Sequence, residues 1–229
     1  MLIKYITLFP ELYEPFKMSG PIRKALEKGL ITMSAYNLKD NGIGKHKKVD
    51  ETPYGGGAGM LLMVEPVVKS IRDASSKNSK VIMFTPEGKT VNQEMIHNLS
   101  KEEDLVFVSG YYEGFDNRIK DYVDMEISLG DFIVSRGDIP IITTIDAISR
   151  VIDGVINNSS IEEESFNNNL LEYPQYTIPR EFEGRLVPEV LTNGNHKKIK
   201  EYRLNESLKR TKENRLDLYN KYKENKNGS

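Results

Sequence analysis

Short, strongly apolar runs alternate with amphipathic segments over residues 1–156. The runs at 80–85 and 104–109 are almost continuously apolar, which is typical of strands buried on both faces of a parallel sheet. Because segments with helical periodicity separate these runs, we predict an α/β domain with a parallel sheet. Strands are predicted at 2–9, 32–38, 80–85, 104–109 and 124–128, and helices at 20–29, 64–75, 92–99 and 140–155.

The composition changes after Gly154. Residues 157–169 are rich in asparagine, serine and glutamate and hold too little apolar surface to order themselves, which predicts a flexible linker. Beyond this segment the chain is rich in lysine, glutamate, leucine and asparagine, and its apolar residues recur at helical spacing. We therefore predict an α/β domain over 1–156, a linker over 157–169 and a small helical domain over 170–229.

Cysteine and histidine content limits the possible chemistry. The chain has no cysteine, which excludes disulfide scaffolds, thiolate metal sites and cysteine nucleophiles. With only three histidines, a histidine-rich metal site is not expected. No apolar run approaches the roughly 18 residues of a membrane span, and the N-terminus lacks the features of a signal peptide. We therefore expect a cytoplasmic protein without a membrane partner.

Charge is distributed unevenly along the chain. Residues 180–229 carry 13 Lys+Arg against 8 Asp+Glu, whereas residues 1–179 carry 19 against 26. A second basic cluster, at 45–48, lies in the otherwise acidic first part. Such clusters can bind phosphate groups through counterion release. On charge alone a solvated helix face is the favoured interpretation, and nucleic-acid binding stays open.

Glycines mark the loops that follow the predicted strands. Residues 53–60 contain four glycines within five positions, a pattern that fits neither a P-loop nor a dinucleotide-binding motif. Glycine-bearing turns also follow three strands, at 85–88, 109–114 and 128–131. The carboxyl ends of parallel strands are the usual ligand sites of α/β sheets, so these loops could hold an adenine-like ring through their backbone. The alternative is that the glycines only form turns.

Six short motifs follow one another along the chain. They lie at 6–10, 53–60, 112–118, 128–132, 170–177 and 193–196, the last followed by Tyr202 and Arg203. In this combination the chain resembles the bacterial tRNA (guanine-N1)-methyltransferases, which modify position 37 beside the anticodon. The resemblance implies a SPOUT-type α/β domain with a deep trefoil knot, plus the small helical C-terminal domain. It also implies an obligate homodimer with the active site between subunits.

The resemblance further implies the reaction and its cofactors. The methyl donor is S-adenosylmethionine, bound bent in the knot loops, and magnesium is required for activity. The acceptor is guanine 37 in the anticodon loop of tRNAs that carry guanine at position 36. Glu113 would lie near the positively charged methyl donor. The donor pocket would use Phe84, Thr85, Pro86, Gly88, Gly110, Glu113, Ser128, Leu129, Gly130, Phe132, Val134 and Gly137.

Catalytic roles carry over to two residues. The proton on guanine N1 must leave, and in the family a linker aspartate accepts it while an arginine stabilises negative charge on guanine O6. Arg150 matches that arginine, and Glu164 matches the aspartate with one additional methylene group. Glu162 and Glu163 are neighbouring alternatives to Glu164.

Two further departures from the family pattern are visible. Arg136 precedes Gly137 where a glycine pair is common, and Tyr111 stands where a basic residue is common.

For RNA binding the resemblance implies His46, Gly59, Asn195, His196 and Arg203, with Lys45 and Lys47 beside the first. Two alternatives remain. The first is a protein of the same fold that binds RNA but is catalytically inactive, and the second, ranked last, is a small-nucleotide hydrolase.

Overall fold

The computed structural model describes residues 1–156, 164–166 and 168–227, and the chain divides into two compact units, 1–156 and 157–229. The strands of the first unit are β1 Leu2–Thr7, β2 Thr32–Asn37, β3 Asp50–Glu51, β4 Leu61–Leu62, β5 Lys80–Thr90, β6 Asp104–Val108 and β7 Met125–Ser128. Its helices are α1 Glu14–Lys17, α2 Gly20–Glu27, α3 Val64–Ala74, α4 Gln93–Leu99 and α5 Asp138–Val151. The five-stranded sheet has the order β2-β1-β6-β5-β7, and all its pairings are parallel. The predicted parallel α/β architecture is therefore confirmed.

Strand β6 lies in the middle of the sheet and is buried along its whole length. Leu105 and Phe107 face the core formed with α2, α4 and α5, whereas Val106 and Val108 face the core on the side of α3. Side chains alternate across a strand, so one short sequence supplies both cores. This explains why the predicted central strands are continuously apolar.

Helix α5 differs from its prediction at both ends. It begins at Asp138 and not at Pro140, because a proline is tolerated within the first helical turn. It ends at Val151, since Ile152 is extended and Gly154 adopts a φ of +85°. Strand β5 is longer than predicted and continues to Thr90, where it pairs again with β7 after a register shift.

In the described part of the second unit lie the helices α6 His196–Asn214 and α7 Leu216–Asn227. Besides its helices, this unit holds an antiparallel hairpin that the sequence did not predict, formed by β8 Glu181–Phe182 and β9 Arg185–Leu186. Its two turn residues, Glu183 and Gly184, both have positive φ, as a tight hairpin turn requires. Each strand has only two paired residues, too few for a visible alternation of apolar and polar positions.

Part of the predicted linker lies outside the described residues, namely 157–163 and 167. Its flexibility therefore stays a prediction, as does any role of Glu162 or Glu163. Within the described part, the Ser165 hydroxyl accepts a hydrogen bond from the Glu172 backbone N–H at 2.9 Å. Among the helices of the described ranges, none is long and apolar enough to cross a membrane.

Candidate active site

A cavity of about 490 Å³ lies at the carboxyl ends of β6 and β7 and beside the middle of β5, where the pairing of β5 with β7 shifts register. Its walls are residues 83–87 of β5, the loop from Gly110 to Asn117 and the loop from Ile127 to Gly137. The sequence predicted a ligand site at these three places, although it predicted that β5 would end at the first of them. Eleven of the twelve predicted donor-binding residues line this cavity: Phe84, Thr85, Pro86, Gly110, Glu113, Ser128, Leu129, Gly130, Phe132, Val134 and Gly137.

Gly88 is the predicted donor residue that does not line the cavity. It lies where β5 passes close to β7, and a Cβ atom at this position would come within 2.5 Å of the Ile127 backbone. The physical reason for glycine here is therefore the close approach of two strands. The structure explains the glycine by strand packing, and its role in donor binding stays a prediction.

Two walls of the cavity touch through their backbones. The Gly137 N–H donates a hydrogen bond to the Gly110 carbonyl at 2.7 Å. A Cβ atom on Gly137 would lie 2.4 Å from the Gly110 nitrogen. Gly137 has a φ of −70°, which any residue can adopt, so the requirement for glycine is steric and not conformational.

The acidic residues that line the cavity differ in their partners. Glu87 pairs with Lys120, and Asp116 accepts two hydrogen bonds from the Arg118 guanidinium at 2.9 and 2.7 Å. The Arg118 guanidinium lowers the pKa of the Asp116 carboxyl below its ordinary value. Glu113 has no ion pair within the described part of the chain. It is therefore the lining carboxylate that is available for a cationic ligand.

Glu113 is held between the glycine-rich loop and the cavity. Its backbone N–H donates to the Met60 carbonyl at 3.0 Å, and the Leu62 N–H donates to the Gly114 carbonyl at 2.9 Å. Gly59 has a φ of +81°, and a Cβ atom there would lie 2.5 Å from the Glu113 Cγ. The structure therefore brings a residue predicted for RNA binding against one predicted for donor binding.

A buried polar cluster lies beside the cavity, formed by Thr7, Tyr13, Tyr111 and Asp138. Asp138 is 1% exposed, and its carboxylate accepts hydrogen bonds from all three hydroxyl groups at 2.7, 2.9 and 2.7 Å respectively. Burial raises the pKa of both tyrosines above the ordinary value, and the Asp138 carboxylate adds to this effect. Both hydroxyls therefore remain protonated donors at neutral pH.

Sequence reasoning missed this cluster. Asp138 precedes an apolar helix, where an acidic residue is ordinarily explained by the helix dipole at the surface. Thr7 gave the better signal, since it interrupts a run of apolar residues in a strand predicted to be buried. A buried hydroxyl requires a hydrogen-bond partner.

Arg150 lies in the last turn of α5 and does not line the cavity. Pro140, near the start of the helix, is the cavity residue closest to it in sequence. From position 140 to 150 the helix rises about 15 Å, farther than an arginine side chain extends. Within one copy of the chain, the structure does not bring Arg150 to the predicted donor residues.

The second unit has a cavity of its own, of about 460 Å³, lined by residues that include Glu164, Tyr173, His196, Lys200 and Arg203. The Arg203 guanidinium lies 4.6 Å from the centroid of the Tyr173 ring. Glu164 therefore shares this cavity with two residues predicted to bind RNA.

Of the three remaining residues predicted to bind RNA, Gly59 contacts Glu113 as described above, and Asn195 and His46 lie elsewhere. Asn195 does not line the second cavity, and its side chain caps α6 by accepting from the Lys198 N–H at 3.1 Å. His46 is exposed in a turn of the first unit, closed by a hydrogen bond from the Lys47 N–H to the Gly44 carbonyl.

Comparison with known proteins identifies the family. The family model described as tRNA (Guanine-1)-methyltransferase TrmD matches residues 1–221. The chain belongs to this family. A tRNA (guanine-N(1)-)-methyltransferase of Clostridium perfringens (strain SM101) is 50% identical over 225 residues, which cover 97% of this chain and 95% of the relative. The protein of the same name from Clostridioides difficile (strain 630) is 48% identical over 230 residues, covering 98% and 100%.

Arg136 and Tyr111, the two positions singled out in the sequence beside the expected donor pocket, meet at one place. The Arg136 guanidinium lies 5.4 Å from the centroid of the Phe9 ring, and the same ring packs edge-on against Tyr111 at 5.7 Å. Arg136 and Tyr111 both line the cavity. Phe9 therefore connects two side chains of the cavity walls, Arg136 and Tyr111.

The described ranges contain no metal site built from a cluster of protein ligands. Within them, no group of three or more histidine, aspartate and glutamate side chains could hold a metal ion. No chemical step below is routed through a metal ion.

Proposed function

We propose that the protein transfers a methyl group from S-adenosylmethionine to N1 of guanine 37 in tRNAs that carry guanine at position 36. The products are N1-methylguanine beside the anticodon and S-adenosylhomocysteine. One observation carries the proposal most directly. In a chain that belongs to this family over nearly its full length, the cavity at the strand ends gathers eleven of the twelve predicted donor residues.

The cavity suits a bent S-adenosylmethionine. Its volume lies within the range of small-molecule sites, and its loops offer backbone groups to an adenine ring. When bound, the donor supplies an electrophilic methyl group on a positively charged sulfur. Glu113, the lining carboxylate without an ion pair in the described chain, would stabilise that charge. The same three loops are the segments we propose to form the trefoil knot.

The position of Arg150 supports a homodimer with shared active sites. Its distance along α5 separates it from the donor cavity of its own chain, whereas its proposed role requires contact with the target base. A second copy of the chain can supply the arginine to the first. We therefore propose that each active site combines the donor cavity of one subunit with Arg150 of its partner.

Two side chains would handle the charges that develop on the base. As N1 of guanine attacks the methyl group, its proton must move to a base, for which we propose the Glu164 carboxylate. Negative charge then develops on O6, and the Arg150 guanidinium would stabilise it through a charge-assisted hydrogen bond. Neither step requires a further cofactor within the protein.

Basic and polar residues of both units would bind the tRNA. His46 and Gly59 belong to the first unit, and Asn195, His196 and Arg203 belong to the second, whose charge is positive from residue 180 onward. We propose that they contact the anticodon loop, where an unstacked guanine can be displaced into the site at low cost. A magnesium requirement and a cytoplasmic location complete the proposal.

Methyl transfer to paired tRNA substrates tests this function. Labelled methyl from S-adenosylmethionine is expected to appear in a transcript with guanine at positions 36 and 37, and not in one with adenine at 37. The reason is that adenine lacks both the N1 proton and the O6 atom. Absence of transfer to either transcript, with folded dimer and magnesium present, would favour a catalytically silent RNA-binding protein.

Glu164→Gln is expected to lower the single-turnover rate roughly a hundredfold, because an amide cannot accept the N1 proton at neutral pH. Glu162→Gln and Glu163→Gln are matched controls, each removing one carboxylate from the same segment. Both should retain most of the activity. Equal and small effects of all three changes would exclude the linker carboxylate as the base.

A further inference from the structure

Two loops of the donor cavity are connected by a buried side-chain hydrogen bond. Tyr111 belongs to the loop after β6, and Asp138 directly follows Gly137 at the end of the loop after β7. The Tyr111 hydroxyl donates to the Asp138 carboxylate at 2.7 Å. This bond lies next to the backbone contact between Gly137 and Gly110, so the two loops are joined at two adjacent points.

The surroundings of this bond fix its position. The Tyr111 hydroxyl also accepts from the Leu8 N–H at 2.9 Å and lies 2.7 Å from the Thr7 hydroxyl, so the loop is anchored to the end of β1. Thr7, Tyr111 and Asp138 are each at most 6% exposed. Because water cannot replace a lost hydrogen bond at a buried site, removing the Tyr111 hydroxyl would leave its partners unsatisfied.

Tyr111 is well placed to control the orientation of Glu113. Between them lies Tyr112, whose φ of 58° is uncommon for a non-glycine residue. The Gly114 N–H donates back to the Tyr111 carbonyl at 3.0 Å, which closes a tight turn around Glu113. Tyr111 is therefore the first residue of the turn that presents the Glu113 carboxylate to the cavity.

We propose that Tyr111 and Asp138 are positioning residues for donor binding. Their hydrogen bond fixes the position of the loop that carries Glu113 relative to the loop that ends at Gly137. They do not touch the reacting atoms, and they act through Glu113 and the cavity walls. The inference rests on the proposed function and adds two residues to its donor site.

Tyr111→Phe and Thr7→Val form a matched pair that tests this role. Each change keeps the shape of the side chain and removes one hydroxyl group that donates to Asp138. Each also removes the acceptor of one backbone N–H, that of Leu8 in Tyr111→Phe and that of Phe9 in Thr7→Val. Only Tyr111 lies in a cavity wall, and Thr7→Val keeps the bond between the loops. Both variants should lose thermal stability to a similar extent.

Donor affinity should separate the two variants. Isothermal titration with S-adenosylmethionine should give a Kd raised about tenfold in Tyr111→Phe, consistent with the loss of one hydrogen bond to a charged acceptor. In Thr7→Val the Kd should stay within about twofold of the wild type. Equal Kd values in the two variants, or an unchanged Kd in Tyr111→Phe, would overturn the proposal.

Hydrogen exchange of the donor-free protein provides a readout that does not depend on the ligand. Peptides covering 110–117 and 130–138 should both exchange faster in Tyr111→Phe than in Thr7→Val. Faster exchange in only one of them would contradict a connection between the loops. If the wild-type protein binds no S-adenosylmethionine, the proposed function fails instead, and the exchange comparison still decides whether Tyr111 and Asp138 join the loops.

Discussion

Arg150→Ala is expected to lower methyl transfer by roughly a hundred- to a thousandfold, the effect of removing one group that stabilises a developing oxyanion. S-adenosylmethionine should bind with a Kd close to the wild-type value, because Arg150 does not line the donor cavity. Single-turnover rates with saturating tRNA, together with donor titrations, measure the two quantities separately.

Arg150→Lys and Arg23→Ala are the controls for this experiment. Lysine keeps the charge but not the planar fork of donors, so partial activity is expected. Arg23 is an exposed residue of α2, and its loss reports any general effect of removing one positive charge. A parallel loss of donor binding and turnover in Arg150→Ala would place Arg150 in the scaffold of the donor site.

Mixed dimers test whether the active site is shared. We expect Glu113→Gln, which removes the carboxylate proposed to stabilise the donor, to be inactive as Arg150→Ala is. When the two proteins are dissociated and reassociated in equal amounts, half of the dimers should be hybrids. In each hybrid one site carries both changes and the other carries neither, so about a quarter of the wild-type activity should return. No recovery despite hybrid formation would exclude an arginine supplied by the partner.

Gly137→Ala is expected to abolish donor binding and to lower the free energy of unfolding by at least about 3 kcal/mol. The added methyl group would lie 2.4 Å from the Gly110 nitrogen, in the contact between two cavity walls. Backbone atoms on both sides cannot move without breaking the Gly137 to Gly110 hydrogen bond. Chemical denaturation and donor titration measure the two effects.

Gly29→Ala is the contrasting control for this change. Gly29 has a φ of +65° and open space around its Cα, so alanine there meets backbone strain without a clash. The expected cost is about 1 kcal/mol, with unchanged donor binding. If Gly137→Ala were no more destabilising than Gly29→Ala, the contact between the loops would be looser than the structure indicates.

Local sequence signals predicted most of the first unit. The central strands are continuously apolar because both of their faces are buried, so β5 and β6 could be located directly. Helices α2, α3 and α4 carry apolar residues at helical spacing, and their predicted ends lie within two residues of the observed ones. Hairpin β8–β9 was missed because its strands are too short to form a pattern.

The sequence by itself determined the family, the parallel α/β fold and the three glycine-bearing loops at the strand ends, because all of these depend on residues close together in the chain. Only the tertiary structure decided that Gly88 serves strand packing, that Arg150 lies away from the donor cavity of its own chain, and that Asp138 is buried under three hydroxyl groups. Thr7 and Asp138 are 131 positions apart. Contacts over such separations depend on how strands and loops cross in space, which no local pattern of residues specifies.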